Sequence, residues 1–475
     1  MLSNFVLKNN ANFNVRKKLA HKFIDNFTQI LEKKIIKINY FNVAKKEVFF
    51  YIKKSILNSF SYRESKFSKK NSIFYLPYHI GIFIFYSFYI FIFSNNKTKI
   101  KKFELLVDNL ESDFEISLYK DLNKLKKKFF FRSVNKNLSK KNTIFFPKYK
   151  GYYLNLVDFF FLYSVLYHSI KVSIALKFNF VYYSLKLVDE ILYFRNFFKK
   201  NNPKNIIMHQ HYYSNNIKNY FFKLSGGKSS CVIQKNINNL NTNSFFYHAD
   251  IFFSIGEYTA VNNQETNSKV VKNIPVGSLF MNHSKDKINE AIKRGQKKYD
   301  VLFLGGNNLM PGNSYYDTYS SYKRDYLENF NWLIKLKKKF PGLKIAFKHH
   351  SNNNNDYEAK LLKKHNIEIV KQIENSYVIS LQSNFICSWN STMIVEMKIL
   401  NPNSFFLDPG YRNDQFLKPL INSNFLRIKN FTQFEKAVLK SIKIKKNFKI
   451  YKKYLNFNKD YNQVLKNICL NLKII

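Results

Sequence analysis

The sequence predicts an α/β protein with two doubly wound, mostly parallel sheets in tandem, each of the Rossmann-like kind. Three observations carry that expectation. From Phe103 onward short apolar runs alternate with amphipathic or strongly apolar helical stretches; a polar, charged stretch from Asn282 to Lys298 interrupts the alternation; and a second, cleaner series starts at Tyr299. With 475 residues, 45% of them hydrophobic and 18% aromatic, the chain has enough material for two or three cored domains, which excludes a disordered protein.

The formal charge of +47, from 78 Lys and Arg against 31 Asp and Glu, would ordinarily suggest a nucleic-acid partner. Here the excess is nearly all Lys, scattered along the chain, and Arg, the better phosphate fork, is scarce. Asn, Ile, Phe and Tyr are enriched alongside it, and all share A/T-rich codons, so base composition supplies much of the bias. No nucleic-acid partner is expected; a diffuse attraction to anionic membrane surfaces is. Cys231, Cys387 and Cys469 lie far apart without paired spacing, which argues for a reducing compartment and against a disulfide framework or a zinc site. The start, MLSNFVLKNNANFNVRKK, lacks the apolar core and small cleavage-site residues of a secretory signal.

Residues 1–100 read as an N-terminal extension. Its most apolar part, Ile73 to Phe93, is about long enough to cross a hydrocarbon core as a helix. Lysines on both flanks (Lys69 and Lys70; Lys97, Lys99, Lys101 and Lys102) give no orientation, and Pro77, His79 and Gly81 weaken its first half. A buried element at a domain edge, an interfacial segment and a full span all fit.

Residues 101–285 form the first α/β unit. Strands are expected at Phe103–Asp108, Thr143–Phe146, Ile206–Gln210, Cys231–Gln234 and Ile251–Gly256. Leu224 to Cys231 reads LSGGKSSC and imitates a phosphate loop. The first glycine of G-x-x-x-x-G-K-[ST] is replaced by Phe222, and the order is helix then strand, the reverse of a Walker loop. It reads as a helix end capped by Gly226 or Gly227.

Residues 296–445 form the second unit. Tyr299–Leu304 is a strand followed by Gly305 and Gly306. Tyr322, Tyr326, Phe330, Leu333 and Leu336 recur at helical spacing until Pro341 and Gly342. Leu343, Ile345 and Phe347 alternate into a strand ending at Lys348, and further strands are expected at Ile367–Val370, Phe385–Trp389, Ser404–Leu407 and Phe425–Ile428. Residues 446–475 should end in a helix.

In open α/β sheets ligands sit beyond the carboxyl ends of the strands, and two facing sheets make a cleft between them. The residues at those ends are Lys348-His349-His350 after one strand and Asn390-Ser391-Thr392 after another, where STMIVEMKIL reads as a helix start. Free backbone N–H groups and small hydroxyls at such a start suit a phosphate or diphosphate, and Glu396, one turn on from Thr392, could accept ribose hydroxyls. Equally, Ser391 or Asn390 is an ordinary N-cap and Glu396 an ordinary solvated helix residue.

Taken together, these residues resemble the second domain of bacterial surface and capsular polysaccharide glycosyltransferases, which have the B-type two-domain architecture, and more distantly the CDP-glycerol glycerophosphotransferases. The matching features are KHH at Lys348 to His350, Ser391-Thr392, Glu396, and FFLDPG with Asp408. NNPKNIIMHQHYYSNN, ADIFFSIG from Ala249 to Gly256, and IPVGS ending at Ser278 match in the first domain, so that the resemblance covers roughly residues 100 to 445. Two features depart from it: Gln234-Lys235-Asn236 stands where those families often have Q-H-G, and a second histidine follows His349 where they have proline.

The resemblance implies a metal-independent transferase with a nucleotide-activated donor and no cofactor; no Asp-x-Asp pair is present. Donor binding is expected of Gly305, Gly306, Ser391, Thr392, Glu396 and Asp408, with His349 as proton donor to the leaving phosphate and Lys348 carrying developing charge. His209, His211 and His248 are candidate acceptor-side bases. A lipid-linked or glycan acceptor and a cytoplasmic position at the inner face of the membrane, peripheral or monotopic, follow. Alternatives are a polyol-phosphate transferase, a sugar-nucleotide epimerase, and an inactive binding protein of the same fold.

Overall fold

The computed structural model describes residues 26–59, 72–93, 100–124, 128–133, 138, 143–144, 152, 154–210, 214–235, 237, 247–260, 269–306, 319–350, 357–409, 426–443 and 450–474. Two entirely parallel sheets organise the chain. The first contains β1 (Lys101–Leu110), β2 (Phe129–Ser133), β3 (Thr143–Ile144), β4 (Asn201–Met208), β5 (Ser229–Ile233), β6 (His248–Ser254) and β7 (Lys269–Pro275), in the order β3-β2-β1-β4-β5-β6-β7. The second contains β8 (Tyr299–Leu304), β9 (Ile345–Lys348), β10 (Glu368–Ile369), β11 (Ser383–Ser388), β12 (Ser404–Leu407) and β13 (Arg427–Ile428), in the order β10-β9-β8-β11-β12-β13. Each sheet grows outward from its first strand in one direction, then reverses. That reversal defines the doubly wound fold and fixes a switch point between β1 and β4 and another between β8 and β11.

The strands are near-continuous apolar runs because both faces are covered. Successive side chains point to opposite faces: Val301 and Phe303 pack with the long helix Tyr319–Lys339 through Tyr326, Phe330 and Leu333, whereas Leu302 and Leu304 join a cluster with Ile386, Ile394 and Phe406. In the first sheet Ile206 faces a cluster built from the helices Leu76–Ile92, Leu156–Leu176 and Phe180–Lys200 together with Leu31 and Ile52, while Ile207 faces the helix Val464–Asn471. The carboxyl-terminal segment thus returns to the first sheet, placing Val464, Leu465, Ile468 and Cys469 against Leu105 and Val107.

The LSGGKSSC segment follows its sequence reading. The helix Asn216–Leu224 ends with Gly226 at φ 87°, whose N–H bonds the Lys223 carbonyl, and the Gly227 N–H bonds the Phe222 carbonyl, before β5 begins at Ser229. Positive φ suits glycine at a helix end, and no phosphate cradle is formed. Two strands escape the sequence reading. β2 is a five-residue run directly behind Lys126-Lys127-Lys128, and β7, KVVKNIP, is a solvent-facing edge whose lysines break the apolar pattern, a usual protection of an edge. Of the expected strand Thr143–Phe146, Phe145 and Phe146 lie outside the described residues.

A buried ionic knot ties the first sheet to its helices. Asp108, at the end of β1, bonds the Arg132 guanidinium from β2 and accepts from Lys218 Nζ at 2.6 Å. Arg132 donates onward to the Tyr193 hydroxyl and the Asn109 side chain, both at 2.7 Å, and stacks over Phe197. Burial alone would push the Asp108 carboxyl up; Arg132 and then Lys218 more than reverse this and hold it at about 2.

Because that value lies below the unfolded one, the carboxylate contributes stability above roughly pH 4, and the contribution is lost as pH falls toward 2. Asp108→Asn leaves two buried cations facing each other and should cost about 3–5 kcal/mol in urea unfolding near neutral pH. The gap between variant and parent should narrow in acid, and a pH-independent gap would refute this account.

Candidate functional site

The second switch point gathers most of the expected residues. β9, β8 and β11 are adjacent, so Lys348-His349, Gly305-Gly306 and Asn390-Ser391 emerge side by side at their carboxyl ends. The Gly305 N–H donates to the Lys348 carbonyl at 2.8 Å. A Cβ on Gly305 would come 3.0 Å from the Phe347 ring, and one on Gly306 would come 2.8 Å from Asn390 Oδ1. A side chain at either position would crowd the neighbouring strand ends, more firmly at Gly305, where the Lys348 carbonyl would lie 3.1 Å from it. Ser388 Oγ donates to the Leu304 carbonyl at 2.7 Å and accepts from the Ser391 N–H at 3.1 Å, which sets the turn that presents Ser391 and Thr392, both half-buried.

His349 stands behind this turn's neighbour. Its ring packs edge-on against Phe347, and its Nδ1 lies 3.4 Å from Oε2 of the fully buried Glu358. A carboxylate behind an imidazole orients the ring. Glu358 sits on the helix Tyr357–Lys363, beyond the Asn-rich loop, where nothing in the sequence marks it.

Several expected roles are corrected. The run STMIVEMKIL forms a helix of only five residues, Met393–Met397, whose N-cap Thr392 makes no side-chain capping bond. Glu396 is neither solvated nor turned to the strand ends. Its carboxylate accepts from Ser278 Oγ at 2.5 Å and from the Tyr377 hydroxyl at 2.9 Å, in a fully buried setting that pushes its pKa up. Lys348 is buried, with its ammonium on the carbonyls of Lys371 (3.0 Å) and Gln372 (3.3 Å). Asp408, at the end of β12, is buried against Arg427 at 3.1 Å. In each case a neighbouring donor or carbonyl, invisible in the linear sequence, has already engaged the charge.

On the first sheet, His209 follows β4 at that sheet's switch point. Its Nδ1 is 2.9 Å from the Tyr119 hydroxyl and its Nε2 is 3.5 Å from Glu115 Oε1. Glu115 also accepts from the Gln210 amide at 2.9 Å and the Glu111 N–H at 2.6 Å. Burial pushes the His209 pKa down and Glu115 only partly restores it. Glu115 was hidden in a helix-start pattern, Ser112-x-x-Glu115, in which Ser112 Oγ caps the Glu115 N–H. His248 is excluded from this grouping, since it opens β6 at the amino end and its nearest carboxylate is Glu47 at 3.8 Å. His211 lies outside the described residues.

One strand end of the first sheet comes near one of the second, close enough for their charges to interact. Burial and then the charge of Lys235, just beyond β5, push down the pKa of His350, just beyond β9. Gln234 is structural, holding the Ile255 N–H at 3.0 Å.

No protein-family model and no curated protein sequence matches the chain. Among solved structures, it is similar to a UDP-GlcNAc 2-epimerase from Neisseria meningitidis bound to UDP-GlcNAc (11% identity, 78% of this chain and 100% of that one, TM-score 0.41). It is also similar to a putative UDP-N-acetylglucosamine 2-epimerase from Listeria monocytogenes (10% identity, 79% and 98%, TM-score 0.42) and to the wall teichoic acid polymerase TagF (10% identity, 89% and 98%, TM-score 0.36).

The burial of Glu396 has a measurable consequence. Its folded pKa is raised, so its anion destabilises the fold as pH rises from the unfolded value through the folded one. Glu396→Gln removes the charge, keeps an acceptor for Ser278 and replaces the oxygen that accepts from Tyr377 by an amide that donates to it. Its melting temperature relative to the parent should therefore climb between pH 4 and pH 8; a difference that is flat or falls with pH would show that the carboxylate is not buried as described.

Proposed function

We propose that the protein is a transferase that uses a nucleotide-activated sugar or polyol donor and passes the activated group to a hydroxyl acceptor. The observation that carries this reading is the convergence of Gly305-Gly306, His349 and Ser391-Thr392 at the ends of three adjacent parallel strands, beside the point where strand order reverses. The donor's phosphates lie over the glycine pair and the Ser391 turn, contacted by the hydroxyls of Ser391 and Thr392. His349, oriented by Glu358, gives a proton to the leaving phosphate from Nε2 of its imidazolium and keeps the proton on Nδ1, which faces the carboxylate.

The acceptor's proton goes to the Glu115–His209 pair, onto the Glu115 carboxylate that His209 and Gln210 hold in place. The acceptor oxygen bonds to the transferred group, the bond from that group to the phosphate oxygen breaks, and the nucleotide departs with the electron pair. Glu396, Lys348 and Asp408 serve this site from behind, as scaffold of the turns that form it. A lipid-linked or glycan acceptor, reached from the cytoplasmic side of a membrane, completes the reading.

A panel of cytidine, uridine and guanosine diphosphate compounds tested by thermal stabilisation examines the donor half, since only ligands that prefer the native state raise its melting temperature. At least one should do so. Ser391→Ala with Thr392→Ala should weaken that ligand by about 1–3 kcal/mol through lost hydrogen bonds to a charged group. His349→Ala should leave its affinity within a few-fold and lower turnover roughly a hundredfold or more. No stabilisation by any nucleotide would favour a catalytically inactive protein; full turnover by the His349 variant would remove the assigned proton donor.

A further inference from the structure

We infer that the helices Leu76–Ile92 and Leu156–Leu176 form one surface that beds in the plane of an anionic lipid bilayer. The sequence drew attention to the first of these helices alone. The fold sets the second beside it: Phe159 touches both Phe88 and Phe91, with ring centroids 5.8 and 5.7 Å apart.

What the pair presents outward is almost wholly apolar and aromatic. Phe74, Phe85 and Phe88 are 89%, 72% and 52% exposed on one side, and Phe160, Tyr163 and Ile174 are 71%, 68% and 63% exposed on the other. Side chains of this size left in water across two neighbouring helices mark an interaction surface rather than scattered exposure. Tyr78 and Tyr167 are exposed as well, and rings that join an apolar body to a polar tip suit the headgroup boundary.

The charge pattern selects lipid over protein as the occupant. Leu76–Ile92 carries no Asp, Glu, Lys or Arg and its one histidine, His79, is buried, and the only acidic residue in Leu156–Leu176, Asp158, is buried with both carboxylate oxygens on Arg195 at 2.7 and 2.9 Å. The exposed charges on and just after Leu156–Leu176 are lysines, Lys171 and Lys177. An apolar strip whose exposed charges are the cations Lys171 and Lys177, on a chain of net charge +47, complements an anionic bilayer through burial and electrostatics together.

The same contacts decide against crossing the bilayer. The inner faces of both helices are committed to the protein by polar bonds. The Tyr86 hydroxyl donates to Asp189 at 2.8 Å, His79 Nδ1 lies 2.8 Å from the Asn179 amide, Ser169 bonds Ser184 at 2.7 Å, and Asp158 holds Arg195. A spanning helix would have to bring these groups into hydrocarbon or abandon them. One face on the protein and one on the lipid is the monotopic arrangement.

The inference is independent of the donor site, and its test does not use a nucleotide. The full-length protein is floated with phosphatidylcholine vesicles, with and without phosphatidylglycerol. Phe85→Glu with Phe160→Glu changes two exposed residues, so folding should be intact, checked by an unchanged melting temperature.

The parent should float with anionic vesicles, less so in high salt, and should be released by alkaline carbonate; the double variant should partition roughly tenfold or more weakly. Equal flotation of parent and variant would overturn the assignment of the surface, and resistance to carbonate would overturn the in-plane arrangement. Absence of flotation would overturn the lipid partner, and concentration-dependent self-association abolished by the same substitutions would give the surface to a second copy of the chain.

Discussion

The reversal of strand order at β1 and again at β8 is the constraint on which the remaining structure depends. A parallel strand must be joined to the next by a crossover, and crossovers that switch faces at the first strand leave a gap between the two connections that leave from its neighbours. At β8 that gap lies between Gly305-Gly306 and Asn390-Ser391, and His349 stands at the next strand end. The functional candidates are side by side because of topology, although more than eighty residues separate Gly305 from Ser391 in the chain.

Buried polar knots hold the loops that surround these gaps. Asp108, Arg132 and Lys218 join two strand ends and a helix at the first sheet. A second knot bridges the sheets: Ser278, after β7, gives its hydroxyl to Glu396 and its N–H to Asn458 Oδ1, and Asn458 Nδ2 returns to the Glu396 carbonyl at 3.1 Å. From there the chain runs on to the helix Val464–Asn471 on the first sheet. Removing one member of such a set leaves the others desolvated without partners, which costs more than the bond itself contributes. The relative placement of the two sets of strand ends is therefore held by directional bonds as well as by apolar packing.

Residues whose types suggest catalysis divide into two groups once the packing is known. His349 and His209 each have a carboxylate within 3.5 Å, from Glu358 and Glu115. Lys348, Asp408 and Glu396 have their polar atoms consumed by carbonyls, a guanidinium and two hydroxyls. A charge that is already satisfied inside the protein supports shape.

The sequence by itself determined the class of fold and most of its strands, because a strand covered on both faces must be a run of apolar residues and a helix between strands must repeat its apolar positions every three to four residues. It determined β8, from Tyr299 to Leu304, to the residue, and it identified LSGGKSSC as a helix end. It could not reveal β7, because an edge strand is half solvated and loses that pattern, nor Glu115 and Glu358, because a carboxylate is recognised as a partner only when the imidazole it faces arrives from another element. Only the tertiary structure decided that Glu396 faces Ser278 and Tyr377 and that Phe85 and Phe160 share one outer surface. Burial and contact are set by which elements pack together, and that is a property of distant residues that no local pattern encodes.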